Sequence, residues 1–317
     1  MVASPTRIIA SWQSRARQPD ASGEVVRDGV CVAWERYGAA APVPGQPTIL
    51  LLPTWSIVHS RVWKLQVPYL ARQFRVLTFD GRGNGRSDRP SSPSAYAAHE
   101  FVEDAVAVLD ATSTERAVIV GFSMGGGYAL RLAAEHPDRV LGAVLVAPAA
   151  GLGIPHPDRS NHPFDEDLGI DEGWLRENAF SWRRDWRGYA EFFMGEVLSE
   201  PHSTKPIEDM VGWALETDPE TMIRIDAAPF MEHEADGVTL TGRDAALDYL
   251  ARVRCPALVI HGTDDHVIPF EAGRRVAEGL RAPLVAFEGG GHSPLGRDPV
   301  RVNLLIRDFV RGLGRRP

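Results

Sequence analysis

Only two cysteines, Cys31 and Cys255, occur in 317 residues. They form no C-x-x-C pair, which argues against a redox pair or a zinc site, so a disulfide-free cytoplasmic protein is the default expectation. Cationic excess is missing as well. Lys and Arg number 34 against 42 Asp and Glu, a net charge of -8. Such a chain has no surplus of cations to neutralise phosphates, so nucleic acid and anionic membrane surfaces are not expected partners. No apolar run approaches the ~20 residues of a membrane-spanning helix. The first twenty residues lack the apolar stretch of a signal peptide. His59, His136, His156, His162, His202 and His233 are scattered without metal-ligand spacing, so no metal is expected. There is no internal repeat and no low-complexity segment.

What is present is an alternation of short apolar runs with amphipathic stretches. Strands are expected at about 30–37, 48–52, 75–80, 117–120, 140–147, 257–261 and 284–287, and helices at 61–72, 100–110 and 126–135. Strands alternating with helices imply a mostly parallel sheet covered on both faces. The alternation stops near Ala149 and resumes near Leu247. Residues 149–249 are Trp-rich, Pro-broken and helical in pattern, so they are expected to form a cap on a core made of 1–148 and 250–317. Residues 1–22 are polar and aperiodic and read as a loosely held arm.

Ser123 stands in Gly121-Phe122-Ser123-Met124-Gly125, between the apolar run Ala117-Val118-Ile119-Val120 and the helical stretch Gly126–Glu135. A bare G-x-S-x-G is a weak signal. Strand, sharp turn and helix together are the context a nucleophile elbow requires. Small residues two positions either side let the turn close, and the helix N-terminus offers free N–H donors where an oxyanion would form. Two further segments carry chemistry. Ala257–Ile260 leads into His261-Gly262-Thr263-Asp264-Asp265, and Leu284–Phe287 leads into Glu288-Gly289-Gly290-Gly291-His292. A serine, an acid and a histidine thus occur in that order, each just past a strand.

By these motifs the chain resembles the α/β-hydrolase superfamily, in its serine-nucleophile, esterase- and haloperoxidase-like branch, from about residue 24 to 312. The resemblance implies an α/β fold with a mostly parallel central sheet, flanking helices and a helical cap. It implies Ser123 as nucleophile, His292 as base and Asp265 as the acid that orients it, because the superfamily's Gly-x-x-Asp spacing counts from Gly262 to Asp265 and not to Asp264. His261 reads as a structural strand-end residue. Met124 is one expected oxyanion donor. The other falls on Trp55, in a loop where Pro53-Thr54 replaces the superfamily's usual His-Gly. Thr54, Trp174, Trp182 and Trp186 are candidate pocket residues. Gly81-Arg82-Gly83-Asn84-Gly85-Arg86-Ser87 lacks the ending of a phosphate loop and is expected to be a structural turn.

The implied activity is hydrolysis of a carboxylic ester or lactone of a small, fairly apolar substrate through an acyl-enzyme, with no cofactor. A C–C bond hydrolase, an acyltransferase or a perhydrolase would use the same three residues. A C–C hydrolase needs cations for a substrate carboxylate, for which Arg183, Arg184 and Arg187 are the candidates. A ligand-binding receptor with a vestigial triad is the alternative from another class.

Overall fold

A computed structural model describes residues 17–157, 159, 162–235 and 237–313. The first sixteen residues of the expected arm lie outside them. Eight strands form one sheet: β1 (Ala21–Arg27), β2 (Val30–Tyr37), β3 (Thr48–Leu51), β4 (Val76–Phe79), β5 (Ala117–Phe122), β6 (Val140–Val146), β9 (Ala257–Gly262) and β10 (Leu284–Phe287). Their order is β1-β2-β4-β3-β5-β6-β9-β10. The β1–β2 and β2–β4 pairs are antiparallel and all others parallel. Every residue of β3, β4, β5 and β9 is buried. That is why these strands read as continuous apolar runs: a parallel strand is covered by helices on both faces.

Strand β1 corrects the expected arm, because Ala21 and Ser22 already pair with Arg36 and Glu35. Its alternating burial is that of an edge strand with one covered face. The turn into β2 is Asp28-Gly29, with φ of 51° and 79°. Two consecutive positive φ values are what a tight hairpin turn demands, and Asp-Gly supplies them at low cost. Elsewhere the expected helix over 61–72 breaks into a 3-10 turn at Ser60–Trp63 and a single turn at Val67–Leu70.

The longer helices are α1 (Ala98–Ala111), α2 (Met124–Glu135), α3 (Ala179–Arg184), α4 (Trp186–Val197), α5 (Lys205–Ala214), α6 (Pro219–Asp226), α7 (Gly242–Arg252), α8 (Phe270–Leu280) and α9 (Pro299–Leu313). The segment between β6 and β9 has no helix before Gly173 among the described residues, is largely helical from there through α6, and then contains a two-stranded hairpin, β7 (Glu232–Ala235) with β8 (Val238–Thr241). Helix α7, which straddles the expected boundary at 249, packs on α2 and α8 and so flanks the sheet. No helix among the described residues is long and apolar enough to cross a membrane.

Candidate active site

The site grows from the C-terminal ends of the parallel strands. Strand β5 runs into Ser123, whose backbone sits at φ 54°, ψ -122°. This is a strained conformation for a residue with a side chain, and it persists only where the surroundings fix it. Here the Ser123 N–H donates to Val146 O at 2.9 Å, and Ser123 O accepts from Gly126 N at 2.8 Å and Ala149 N at 2.9 Å. The flanking glycines are obligatory. A Cβ on Gly121 would lie 2.0 Å from Gly125 O, and one on Gly125 would lie 2.4 Å from Pro53 O. The elbow is therefore pressed between β6 and the loop that follows β3.

Strands β9 and β10 present the acid and the histidine on two loops that touch. A Cβ on Gly262 would lie 2.1 Å from Gly290 O, and Asp264 N donates to Gly290 O at 2.9 Å. Asp265 Oδ1 accepts from Val267 N at 2.8 Å and Ile268 N at 2.9 Å. Asp265 Oδ2 faces His292 Nδ1 at 2.8 Å. Burial alone would raise the Asp265 carboxyl. The His292 charge and the hydrogen bonds from His261 and His292 outweigh it and hold Asp265 well below the usual carboxylate range. Asp264 points elsewhere, with its side chain 69 % exposed and 3.8 Å from His266 Nε2. Of the two adjacent carboxylates, only Asp265 meets His292. The imidazole is buried and stands 5.0 Å, centroid to centroid, from the ring of Phe122, which immediately precedes Ser123. With Nδ1 donating to Asp265, Nε2 is the nitrogen left for chemistry.

The loop after β3 is fixed without its usual His-Gly pair. Leu52 N donates to Val120 O at 2.9 Å, Trp63 Nε1 to Leu52 O at 2.9 Å, and Asn84 Nδ2 to Ser56 O at 2.9 Å. Thr54 is buried within it. Among the described residues, neither the Trp55 N–H nor the Met124 N–H is engaged in a hydrogen bond. The Trp55 ring packs edge-on against Phe193 at 5.1 Å and lies 5.9 Å from Trp182.

The three tryptophans expected near the pocket separate. Trp182 is fully buried and touches Trp55, Phe164, Trp186 and Tyr189. Trp174 lies against Phe192 and Phe193 and under the Arg159 guanidinium, 4.4 Å from the ring centre. Trp186 stacks on Tyr189 and donates Nε1 to Ala214 O at 3.0 Å, so it ties α4 to α5. The candidate arginines are surface ion pairs: Arg183 with Glu220, Arg184 with Asp167 and Asp171, Arg187 with Glu191. The cap cation beside the acid loop is Arg159 instead. Its Nη1 donates to Val267 O at 3.1 Å, and it is paired with Glu177. A cavity of about 350 Å³ adjoins these groups, lined in part by Pro148, Ala149, Leu152, Phe230, Val267 and Ile268. The larger recess, about 950 Å³, is built around His59, Asp80 and Glu216 and contains none of the residues of this site.

Sequence reasoning missed three residues here. His156 Nε2 lies 3.0 Å from Asp265 O, Arg159 holds Val267, and His261 Nε2 lies 3.0 Å from Asp265 Oδ2. Only His261 carried a signal, its place four residues before the acid. Among the described residues, no group of three or more His, Cys, Asp or Glu side chains is arranged to hold a metal ion.

Comparison with known proteins identifies the family. The chain belongs to the family described as alpha/beta hydrolase fold, which matches residues 47–299. It is a hydrolase-fold enzyme. It is 32 % identical over 252 residues to 2-hydroxymuconate semialdehyde hydrolase of Pseudomonas sp. (strain CF600), covering 78 % of this chain and 80 % of that one. Among solved structures it resembles Est816, described as an N-acyl homoserine lactone degrading enzyme. The TM-score is 0.69 and the identity 26 %, over 90 % of this chain and all of that one. It also shares its fold with the enol-lactonase of Burkholderia xenovorans LB400, with a TM-score of 0.71 at 23 % identity over 91 % of this chain and 99 % of that one.

Proposed function

We propose that this chain is a serine hydrolase that cleaves a carboxylic ester or lactone of a small, fairly apolar substrate through an acyl-enzyme. Ser123 is the nucleophile. His292 Nε2 takes its proton as the oxygen attacks the acyl carbon, then returns it to the departing oxygen. Asp265 holds the imidazole tautomer and steadies the imidazolium. The N–H groups of Trp55 and Met124 meet the oxyanion. His292 next activates water, which releases the acid and frees Ser123. The single observation that carries this reading is the 2.8 Å contact of His292 Nδ1 with Asp265 Oδ2, with the His292 ring 5.0 Å from Phe122, the residue before a serine held at φ 54°. The likeness to a lactone-degrading enzyme supports the substrate class.

The likeness to a semialdehyde hydrolase keeps C–C bond hydrolysis as the second reading. That reaction asks for a cation facing a substrate carboxylate. Arg183, Arg184 and Arg187 are each paired with a carboxylate, and Arg159 is neutralised by Glu177. This favours ester and lactone bonds. A panel of 4-nitrophenyl esters, γ- and δ-lactones and dienone acids tests the choice. Turnover of esters or lactones, with a burst of nitrophenol equal to the enzyme, is expected. Turnover of dienone acids alone would reverse it.

A further inference from the structure

Asp265 Oδ2 is met from two sides. His292 Nδ1 lies 2.8 Å from it and His261 Nε2 lies 3.0 Å from the same oxygen. His261 is completely buried in β9. Its Nε2 is also 3.0 Å from Ile268 O, so one hydrogen is shared between the carbonyl, on which it is better aligned, and the carboxylate. Nδ1 has no hydrogen-bond partner among the described residues. A hydrogen on Nδ1 would be a buried donor without an acceptor, which costs ~1–3 kcal/mol. The neutral tautomer with hydrogen on Nε2 is thereby selected. The ring cannot swing away, because α8 is pressed against it. A Cβ on Gly273 would lie 2.1 Å from His261 Nδ1, and the Phe270 ring meets it edge-on at 5.8 Å. A glycine that a side chain could replace only by displacing this imidazole, and a histidine fixed in one tautomer, are more than a strand end requires.

We propose that His261 is the positioning residue of the acid. It pins Asp265 Oδ2 on the His292 side and takes up part of the carboxylate charge. With Val267 N and Ile268 N on Oδ1, it completes four donors around one carboxylate. Asp265 then orients His292 without holding the imidazolium so firmly that it cannot return its proton. This rests on the proposed Ser123–His292–Asp265 triad. No contact between the Asp265 carboxylate and the other charged or titratable groups around the trio is found among the described residues. His156 contacts Asp265 O, and Glu200 accepts from Gly291 N and pairs with Arg297. His266 pairs with Glu196 and lies near Asp264. On α8, Glu271 is engaged by Arg274 and Arg275.

The test compares His261→Met, which removes the donor, with His261→Gln, whose amide nitrogen replaces Nε2. Each is made in the wild type and in Asp265→Asn. His261→Met is expected to lower kcat/KM for a 4-nitrophenyl ester about tenfold and to move the acidic limb of its pH profile up by about half a unit. His261→Gln should keep both within about twofold. In Asp265→Asn, His261→Met should cost nothing further, since residues acting through one contact are not additive. If His261→Met does not fold, His261→Asn replaces it, because its shorter amide falls short of Oδ2. An unmoved pH limb with unchanged rates, or an equal loss in the Asp265→Asn background, overturns the proposal. Full activity of Asp265→Asn alone would sink the triad, and this proposal with it.

Discussion

Two aspartates show how differently the protein treats the end of an interior strand and the helical segment between β6 and β9. Asp265, past β9, has a donor for every lone pair within reach and is held well below the usual carboxylate range. Asp226, at the end of α6, has no hydrogen bond or ion pair among the described residues, and burial pushes its carboxyl up to about 6, with Glu177 adding to the shift and Arg159 opposing it. It is nevertheless accessible to solvent. Nearby, Tyr189 OH and Trp182 Nε1 are buried without hydrogen-bond partners among the described residues. The Asp265 carboxylate is over-determined and the Asp226 carboxyl is not. A reaction centre gains from the first, because preorganised groups need not rearrange as charge develops.

The largest effect that tests this contrast is at the centre of the rigid side. Ser123→Ala should lose ~10³–10⁶-fold in kcat while unfolding at the wild-type temperature, because triad members act as a unit. Calorimetry alongside the assay separates the two. The acid comes next. Asp265→Asn should cost about 10⁴-fold in kcat by leaving His292 in the wrong tautomer, while Asp264→Asn, exposed and apart, should cost little. Comparable losses in both would erase the distinction the geometry draws. At the loop after β3, Trp55→Pro deletes a donor and should cost ~10²–10³-fold, whereas Trp55→Phe should keep most of kcat and change KM. If Trp55→Phe loses kcat as severely, the ring and not the N–H carries the effect.

The smallest effect belongs to the cap. The folded-state pKa of Asp226, about 6, lies above the unfolded value of ~3.9. Such a group is neutral in both states below ~pH 4 and costs stability above about pH 6, once the folded carboxyl must ionise. Asp226→Asn should therefore stabilise at pH 8 by about 1 kcal/mol, less than the full shift implies because the accessible carboxyl is screened. At pH 4 the gain should vanish. Urea midpoints at the two pH values read the difference directly. A gain that persists at pH 4 would mean that ionisation is not its source.

The same contrast explains what the sequence disclosed. Ser123 and Asp265 were legible because each follows a strand that is buried throughout and reads as an unbroken apolar run, β5 and β9; His292 follows the short, half-buried β10 and was legible through the three glycines before it. The choice between Asp264 and Asp265 needed only a count from Gly262. The two hairpins were harder, although Asp28-Gly29 and Asp236-Gly237 both carry the turn signal. Strand β1 is an edge strand whose exposed positions dilute its pattern, and β7–β8 lies in a stretch dominated by helical periodicity. The contact of His261 with Asp265 was not legible as such. Spacing places the two four residues apart, but the turn at Asp264 folds the acid back toward the strand end. In the cap, ring pairs such as Trp55 with Phe193 depend on how α4 lies over the sheet, which no local pattern encodes.

The central claim is that Ser123 is the nucleophile of a His292–Asp265 pair. A fluorophosphonate that phosphonylates activated serines, followed by peptide mass mapping, tests it most directly. The account predicts one adduct, on the peptide containing Ser123, formed in step with loss of esterase activity and nearly absent in Asp265→Asn. An adduct elsewhere, or full turnover in enzyme labelled stoichiometrically at Ser123, would contradict it.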